Sequence, residues 1–93
     1  MKITYDPAKR DAALKDRELD FEDARTVFAG RYITAADARR DYGEPRFQSV
    51  GYLEGRMVMV VWTPRGEGAR HVISMRKCNA REQKAYRQRL EEG

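Results

Sequence analysis

The chain has few of the residues from which structural and catalytic sites are often built. It contains one cysteine, Cys78, and one histidine, His71, among its 93 residues. A lone cysteine excludes an intramolecular disulfide, and one Cys with one His cannot assemble a structural zinc site. The fold must therefore depend on apolar packing.

Several common site motifs are also absent from the sequence. There is no glycine-rich phosphate loop, no dinucleotide fingerprint, no Gly-x-Ser-x-Gly elbow and no Asp/Glu cluster that would hold two catalytic metals. The longest apolar run, residues 57–62, is too short to span a bilayer, and the N-terminus lacks the apolar core of a signal peptide. We expect a soluble cytoplasmic protein with no metal and no cofactor.

Charge is unevenly distributed along the chain. Residues 1–45 carry nine Lys/Arg against ten Asp/Glu, whereas residues 46–89 carry ten Lys/Arg against three Asp/Glu. A basic half on a small domain is typical of proteins that bind polyanions. An ordinary solvated basic face, or a face for an acidic protein partner, remains open on charge alone.

Hydrophobic periodicity and capping residues predict an α+β domain over residues 1–93. Asp6 with Pro7, Asp20 with Asp23, and Asn79 with Glu82 are each suited to open a helix. Strands are predicted at 1–5, 31–36, 46–53, 56–63 and 69–77, and helices from 6 to about 17, from 20 to about 30, and at 80–92. Because residues 57–62 are apolar on both faces, they predict the central strand. This order predicts a largely antiparallel sheet with two N-terminal helices and one C-terminal helix, which docks loosely.

A metal-free ribonuclease is chemically possible with these residues. RNA supplies its own nucleophile, the 2′-hydroxyl, so the protein must hold the phosphate, stabilise its added negative charge and move protons. Cations and proton-handling groups are both present: Lys9, Arg46, Arg70, Arg76, Lys77 and Arg81, and His71, Glu82 and Tyr86. Most basic domains offer such a set, so the set alone does not identify the function.

The order and spacing of short motifs are more specific. They are Tyr5-Asp6 with Lys9, Phe21-Glu22-Asp23-Ala24, Val27-Phe28, Arg46-Phe47, Val50-Gly51, Gly55-Arg56, Val60-Val61-Trp62-Thr63, Val72-Ile73-Ser74-Met75-Arg76-Lys77, Arg81-Glu82 and Tyr86. With these motifs the chain resembles the BrnT family of type II toxins. The resemblance implies a RelE-like fold, RNA cleavage that inhibits growth, and neutralisation by a cognate BrnA-type antitoxin. It also implies that toxin and antitoxin repress their operon by binding operator DNA through the antitoxin.

The chain departs from the family pattern at several positions. Tyr5 stands where the family usually has Trp, Ala13 replaces an Asn, and Asp16-Arg17-Glu18 replaces Lys-His-Gly. His71 stands in place of an Arg, and Met75 in place of an Ala. Arg17 is too basic to replace a histidine in proton transfer, whereas His71 has an unperturbed pKa near neutrality. The alternative function is a catalytically weakened nucleic-acid- or antitoxin-binding module that acts in operon autorepression.

We predict a catalytic group of Arg76, Arg46, Glu82 and His71. We predict that Lys9, Arg70, Lys77, Arg81 and Tyr86 contact RNA. Each has a simpler alternative: a surface arginine, a salt bridge to the acidic half, a helix cap, a satisfied strand histidine, or a solvated or packing side chain. Strand alternation predicts that His71 and Arg76 face opposite sides of the sheet unless a bulge intervenes.

Overall fold

The computed structural model describes residues 1–92, which form one five-stranded sheet and three α-helices. The strands are β1 (Lys2–Tyr5), β2 (Tyr32–Ala36), β3 (Phe47–Leu53), β4 (Arg56–Arg65) and β5 (Ala69–Lys77). The helices are α1 (Pro7–Arg17), α2 (Ala24–Ala29) and α3 (Ala80–Glu92), and a 3-10 turn, Phe21–Asp23, precedes α2. The sheet order is β1-β5-β4-β3-β2. The α+β class is confirmed, and the sheet is mixed because β1 pairs with β5 in parallel.

Local capping explains where the helices begin. Asp6 accepts a hydrogen bond from the backbone N–H of Ala8, and Pro7 occupies the first turn of α1. Asn79 and Glu82 form the predicted reciprocal capping box, with both side-chain-to-backbone hydrogen bonds at 2.9 Å. Asp20 differs from the prediction, because its carboxylate accepts from the N–H of Glu22 and opens the 3-10 turn instead of a capping box.

Four strand boundaries differ from the predicted ones. β1, β2 and β3 each begin one residue later than predicted, and β4 continues two residues past Thr63. Pro64 can lie within β4 because the ladder between β3 and β4 already ends at Phe47 and Trp62, so no pairing with β3 is required there.

The sheet separates two apolar clusters. The face covered by α1 and α2, called the α1/α2 face, carries the larger cluster, which includes Phe21, Ala24, Val27, Phe28, Val58, Val60, Trp62, Val72 and Met75. The opposite face, called the α3 face, carries Val50, Met57, Met59, Cys78 and Leu90. Leu90 is 2% exposed and Tyr86 packs beside it, so α3 docks more firmly than its polar sequence predicts. Residues 57–62 are all buried, which confirms that β4 is covered on both faces.

A bulge in β5 changes which side chains share a face. Trp62 of β4 pairs with Val72, whereas the preceding residue of β4, Val61, pairs with Ser74. β5 therefore holds one additional residue, Ile73, at this point. Val72 and Met75, three positions apart, are both fully buried in the larger cluster. Side chains on either side of the bulge are thus shifted by one position relative to simple alternation.

The bulge is the exception that the alternation-based prediction allowed for the two candidate residues on β5. His71 pairs with Thr63 and Arg76 pairs with Met59, and these two β4 residues share the α3 face. His71 and Arg76 therefore lie on the same face of the sheet. Among residues 1–92, no helix is long and apolar enough to cross a membrane.

Candidate functional site

Arg76 and Glu82 form a two-pronged ion pair between β5 and the first turn of α3. Nη1 and Nη2 of Arg76 donate to Oε1 and Oε2 of Glu82, both at 2.7 Å. Oε1 of Glu82 also accepts the capping hydrogen bond from the backbone N–H of Asn79. Because α3 anchors the carboxylate, the guanidinium of Arg76 is held in one orientation while its side chain stays 39% exposed.

This ion pair decides the protonation state of Glu82. The hydrogen bonds from Arg76 lower the pKa of the Glu82 carboxyl to about 2, and the Asn79 N–H acts in the same direction. The carboxylate is therefore ionised at neutral pH and already accepts three hydrogen bonds. It is suited to position Arg76, and poorly suited to exchange protons with a substrate.

His71 occupies the other end of β5 and is partly buried. Its Nδ1 and the hydroxyl oxygen of Thr4 share a hydrogen bond of 2.8 Å. Burial lowers the pKa of His71 below its ordinary value, and the positive charge of Arg65 lowers it further. Glu44 and Asp6 raise this pKa and Lys9 lowers it, each with a smaller effect than that of Arg65. The imidazole is therefore largely neutral at pH 7 and can accept a proton.

Arg46 lies immediately before β3, close to the row of residues that contains His71. Thr63, which pairs with His71, donates its hydroxyl hydrogen to the carbonyl oxygen of Pro45 at 2.6 Å. Arg46 stacks over the ring of Tyr42 at 3.9 Å. Its nearest carboxylate is Glu44, which is 3.9 Å from Nη2. The salt bridge considered as an alternative role for Arg46 is thus long and purely local.

The Nε atom of Arg46 also indicates that packing alone does not account for the position of this side chain. This atom is buried and has no hydrogen-bond partner among the described residues. Most buried polar atoms in proteins are hydrogen-bonded, so such an exception calls for an explanation. Glu44, the closest carboxylate, is shared with Arg65 at 3.7 Å.

Sequence reasoning missed Arg39 and Asp37, which belong to the loop between β2 and β3. Nε and Nη2 of Arg39 donate to the two carboxylate oxygens of Asp37 at 2.7 and 2.8 Å. The side chain of Asp37 is fully buried, and its pKa is lowered by these hydrogen bonds, whereas Arg39 is 65% exposed. The hydrogen bonds to Glu82 raise the pKa of Arg76, and the positive charge of Arg39 opposes this rise slightly, so the loop adds a cation whose charge acts on Arg76. The only sequence signal was the Asp-x-Arg spacing.

Arg70 is not brought together with the other candidates. Its guanidinium carbon lies 4.4 Å from the ring centre of Phe28 and 4.5 Å from that of Trp62, on the α1/α2 face. Nη1 also donates to the hydroxyl of Tyr32 at 3.4 Å. Arg70 therefore covers the aromatic part of the larger cluster, on the opposite side of the sheet from Arg76.

The other residues predicted to contact RNA lie in different parts of the fold. Lys9 is exposed on α1, near enough to His71 for its charge to act on that ring. Lys77 pairs with Val58 at the end of β5, and Arg81 is exposed in the first turn of α3. Tyr86 is half-buried and packs against the cluster of the α3 face, as the packing alternative predicted.

The geometry brings cations and one neutral imidazole to the α3 face. His71 and Arg76 are five residues apart, which is roughly 15 Å along a strand. They would therefore contact different phosphates of an extended nucleic acid. The described residues contain no group of three or more His, Cys, Asp or Glu side chains placed to hold a metal ion.

These features define a small basic α+β protein whose sheet presents cations on one face, a class suited to nucleic-acid substrates. Residues 5–82 match the family model described as ribonuclease toxin, BrnT, of type II toxin-antitoxin system. Since this match covers most of the chain, the chain belongs to the BrnT family of ribonuclease toxins, the toxin components of type II toxin–antitoxin systems. An antitoxin partner follows from that membership.

Comparison with solved structures agrees with the family. The fold is similar to the crystal structure, at 1.1 Å resolution, of the Brucella abortus ribonuclease toxin BrnT, with a TM-score of 0.64 and 28% sequence identity. The similarity covers 85% of this chain and 97% of the Brucella chain. No curated protein matches the sequence.

Proposed function

We propose that this BrnT-family toxin is an endoribonuclease that needs no metal and that binds RNA on its α3 face. The observation that carries the proposal is the Arg76 guanidinium, which Glu82 fixes in place on the same face as His71. Alternation places Arg46 on this face too, because the next residue, Phe47, packs against the larger cluster. The 2′-hydroxyl of RNA is the nucleophile, so no metal-activated water is needed. The protein has to orient the phosphate and stabilise its developing charge.

Arg76 is suited to bind a phosphate without releasing Glu82. A guanidinium has five N–H donors in a planar fork, and Glu82 accepts one from each terminal nitrogen. The same nitrogens make longer contacts with the backbone oxygen of Lys77 at 3.4 Å and with Sδ of Met59 at 3.5 Å. Nε makes no hydrogen bond among the described residues, and a phosphate can take the place of the two longer contacts. Glu82 is then a positioning residue, because its hydrogen bonds set the direction of the fork and it does not exchange protons.

His71 is the proposed proton acceptor at the other end of β5. Its neutral imidazole can take the proton of the 2′-hydroxyl, while Arg46 stabilises the negative charge on the phosphate. The 2′-oxygen then bonds to the adjacent phosphorus as the bond from phosphorus to the 5′-oxygen breaks, which leaves a 2′,3′-cyclic phosphate, and the departing 5′-oxygen takes a proton from water. Arg76 would hold a neighbouring phosphate, because the two ends of β5 are too far apart for one group. Arg81 and Tyr86 are proposed to contact the RNA beyond these positions on the α3 face, and Lys9 and Lys77 are proposed to contact it where it passes the edge of the sheet.

The direct test is RNA cleavage by the purified protein in EDTA. We expect cleavage by the wild type and by Arg87→Ala, an exposed α3 arginine whose side chain donates a hydrogen bond to Gln83. Arg76→Ala is expected to lose most of the activity. Equal cleavage by both variants, or activity that returns only with added metal, would contradict the proposal. Salt-sensitive RNA binding by an inactive wild type would favour the weakened binding module instead.

We further propose the finer properties that the family resemblance implies. They are a RelE-like fold, action in the cytoplasm, a BrnA-type antitoxin as the partner, and operator DNA bound through that antitoxin. Co-expression with the product of the neighbouring gene should relieve growth inhibition and yield a complex that shifts operator DNA. The toxin alone should not shift it. Superposition on a RelE toxin would test the RelE-like fold, and cell fractionation would test the action in the cytoplasm.

A further inference from the structure

A groove of about 400 Å³ lies between the C-terminal end of α1 and the outer edge of β5. β1 pairs only with residues Ala69 to Val72, so it covers just the first half of that edge. The last turn of α1 borders the second half. The groove is lined by Lys15, Asp16, Arg17, Glu18, Arg76 and Lys77. Cations outnumber carboxylates by four to two, and Arg76 belongs to both this groove and the α3 face.

Arg17 is fixed in place at the wall of this groove. Its Nη1 donates to the backbone oxygen of Met75 at 3.0 Å and to the hydroxyl of Ser74 at 3.4 Å. These contacts hold the guanidinium beside the residue that precedes Arg76. The second terminal nitrogen and Nε of Arg17 make no other side-chain hydrogen bond within residues 1–92, so donors remain for a ligand.

A second, smaller cavity continues the groove along α1 towards Lys9. Its volume is about 190 Å³, and it shares Asp16 and Arg17 with the first cavity. Ser74 and Lys9 also line it. The two cavities therefore form one path along α1, from Lys9 to Lys77.

We propose that this path, the α1–β5 groove, binds the phosphate backbone of the RNA strand, so that the strand crosses the sheet edge at Arg76. The inference rests on the proposed function and adds a second binding surface to it. A groove lined by cations and open along its length suits a flexible polyanion, because each phosphate contact releases counterions. Arg17 and Lys77 would hold the phosphates next to the one held by Arg76.

The test is the salt dependence of binding to a single-stranded RNA that is 2′-O-methylated throughout and so cannot be cleaved. The variant is Lys15→Gln with Lys77→Gln, since neither side chain makes a hydrogen bond or ion pair among the described residues. The matched control is Lys84→Gln with Arg87→Gln, which removes the same charge from exposed positions of α3. Arg17→Gln is a second variant, although its loss also breaks the bond to Met75.

We expect the slope of log affinity against log salt to fall by about 1.4 in the Lys15/Lys77 variant, or about 0.7 for each lost phosphate contact. The control should keep the wild-type slope. Equal slopes for the two double variants would overturn the proposal that RNA binds in the α1–β5 groove, while leaving the proposed function intact. Weaker antitoxin binding with an unchanged RNA slope would assign the groove to the protein partner and also overturn the inference. Failure of the proposed function itself would appear as absent cleavage by the wild type.

Discussion

The two faces of the sheet use the same kind of residue for opposite purposes. On the α1/α2 face, Arg70 lies over the rings of Phe28 and Trp62 and covers the larger cluster. On the α3 face, Arg76 is held by a carboxylate and remains accessible. An arginine flanked by aromatic rings contributes to packing, whereas an arginine fixed by a capped glutamate is presented to solvent. The partner of each cation, and not its place in a basic segment, decides its role.

The largest expected effect tests whether the α1/α2 face dominates stability. Trp62 packs against Phe28 and Phe47, and its Nε1 donates to the hydroxyl of Ser49. We expect Trp62→Ala to lower the free energy of unfolding by about 3–5 kcal/mol. Val61 is its neighbour on the opposite face. Replacing Val61 by Ala should lower the free energy of unfolding by only about 1.6 kcal/mol. Urea unfolding followed by circular dichroism measures both, and similar losses would contradict the asymmetry.

The next effect separates the two arginines by activity. Arg76→Ala is expected to lower kcat at least about 10²-fold with little loss of helical content, because the cation that holds the neighbouring phosphate, and so positions the strand for reaction, is removed. Arg70→Ala should lower stability but leave kcat per folded molecule near the wild-type value. Single-turnover cleavage of a short RNA measures both rates. A larger kcat loss for Arg70→Ala would reverse the assignment of the faces.

The His71 prediction is a change in the pH profile. Because the pKa of His71 is lowered from 6.5, the active neutral form is already dominant at pH 7. The wild-type kcat should therefore rise with pH through a pKa below 6.5 and then stay level. His71→Gln should lower kcat about 10²-fold and remove this rise. An unchanged profile in the variant would assign proton transfer to another group.

The smallest effect concerns Glu82. Glu82→Gln should keep part of the capping box but weaken the hold on Arg76, at a cost of about 1 kcal/mol at pH 7. The folded-state pKa is about 2, below the ordinary value of 4.5. The wild type's advantage is therefore complete above pH 4.5 and disappears as the pH falls towards 2.

Asn79→Ala is the control for that measurement. It removes the hydrogen bond from the Glu82 N–H to Asn79 but leaves the bonds between Glu82 and Arg76 in place. Its cost of about 1 kcal/mol should not vary over this pH range. Parallel pH profiles of stability for the two variants would show that the ion pair with Arg76 contributes little.

Much of the local structure could be predicted because it depends on residues close in sequence. Asp6 and Asn79 cap helices through atoms two or three residues away, and residues 57–62 are apolar whichever neighbours cover them. The order and spacing of the short motifs also indicated the family. The parallel pairing of β1 with β5 was not predicted, because it joins residues 67 positions apart.

The candidate site was predicted only in part. The pairing of Arg76 with Glu82 joins two candidates that were named separately, and the cap explains why both are present. Arg39 was missed because its loop has no periodic pattern and its buried partner, Asp37, is two residues away in the same loop. The sequence indicated Arg17 only as a departure from the family pattern, whereas its hydrogen bond to Met75 places it at the α1–β5 groove.

By itself the sequence determined the helix caps, the central strand, the basic half and the family of this toxin. The tertiary structure alone decided which face each functional side chain occupies. One additional residue, Ile73, shifts the alternation of β5 and brings His71 to the face of Arg76. The same shift places Arg70 on the opposite face, where it lies over Phe28 and Trp62. Caps depend on neighbours within a turn, whereas a bulge depends on how two strands pair, and that pairing is set only when the core closes.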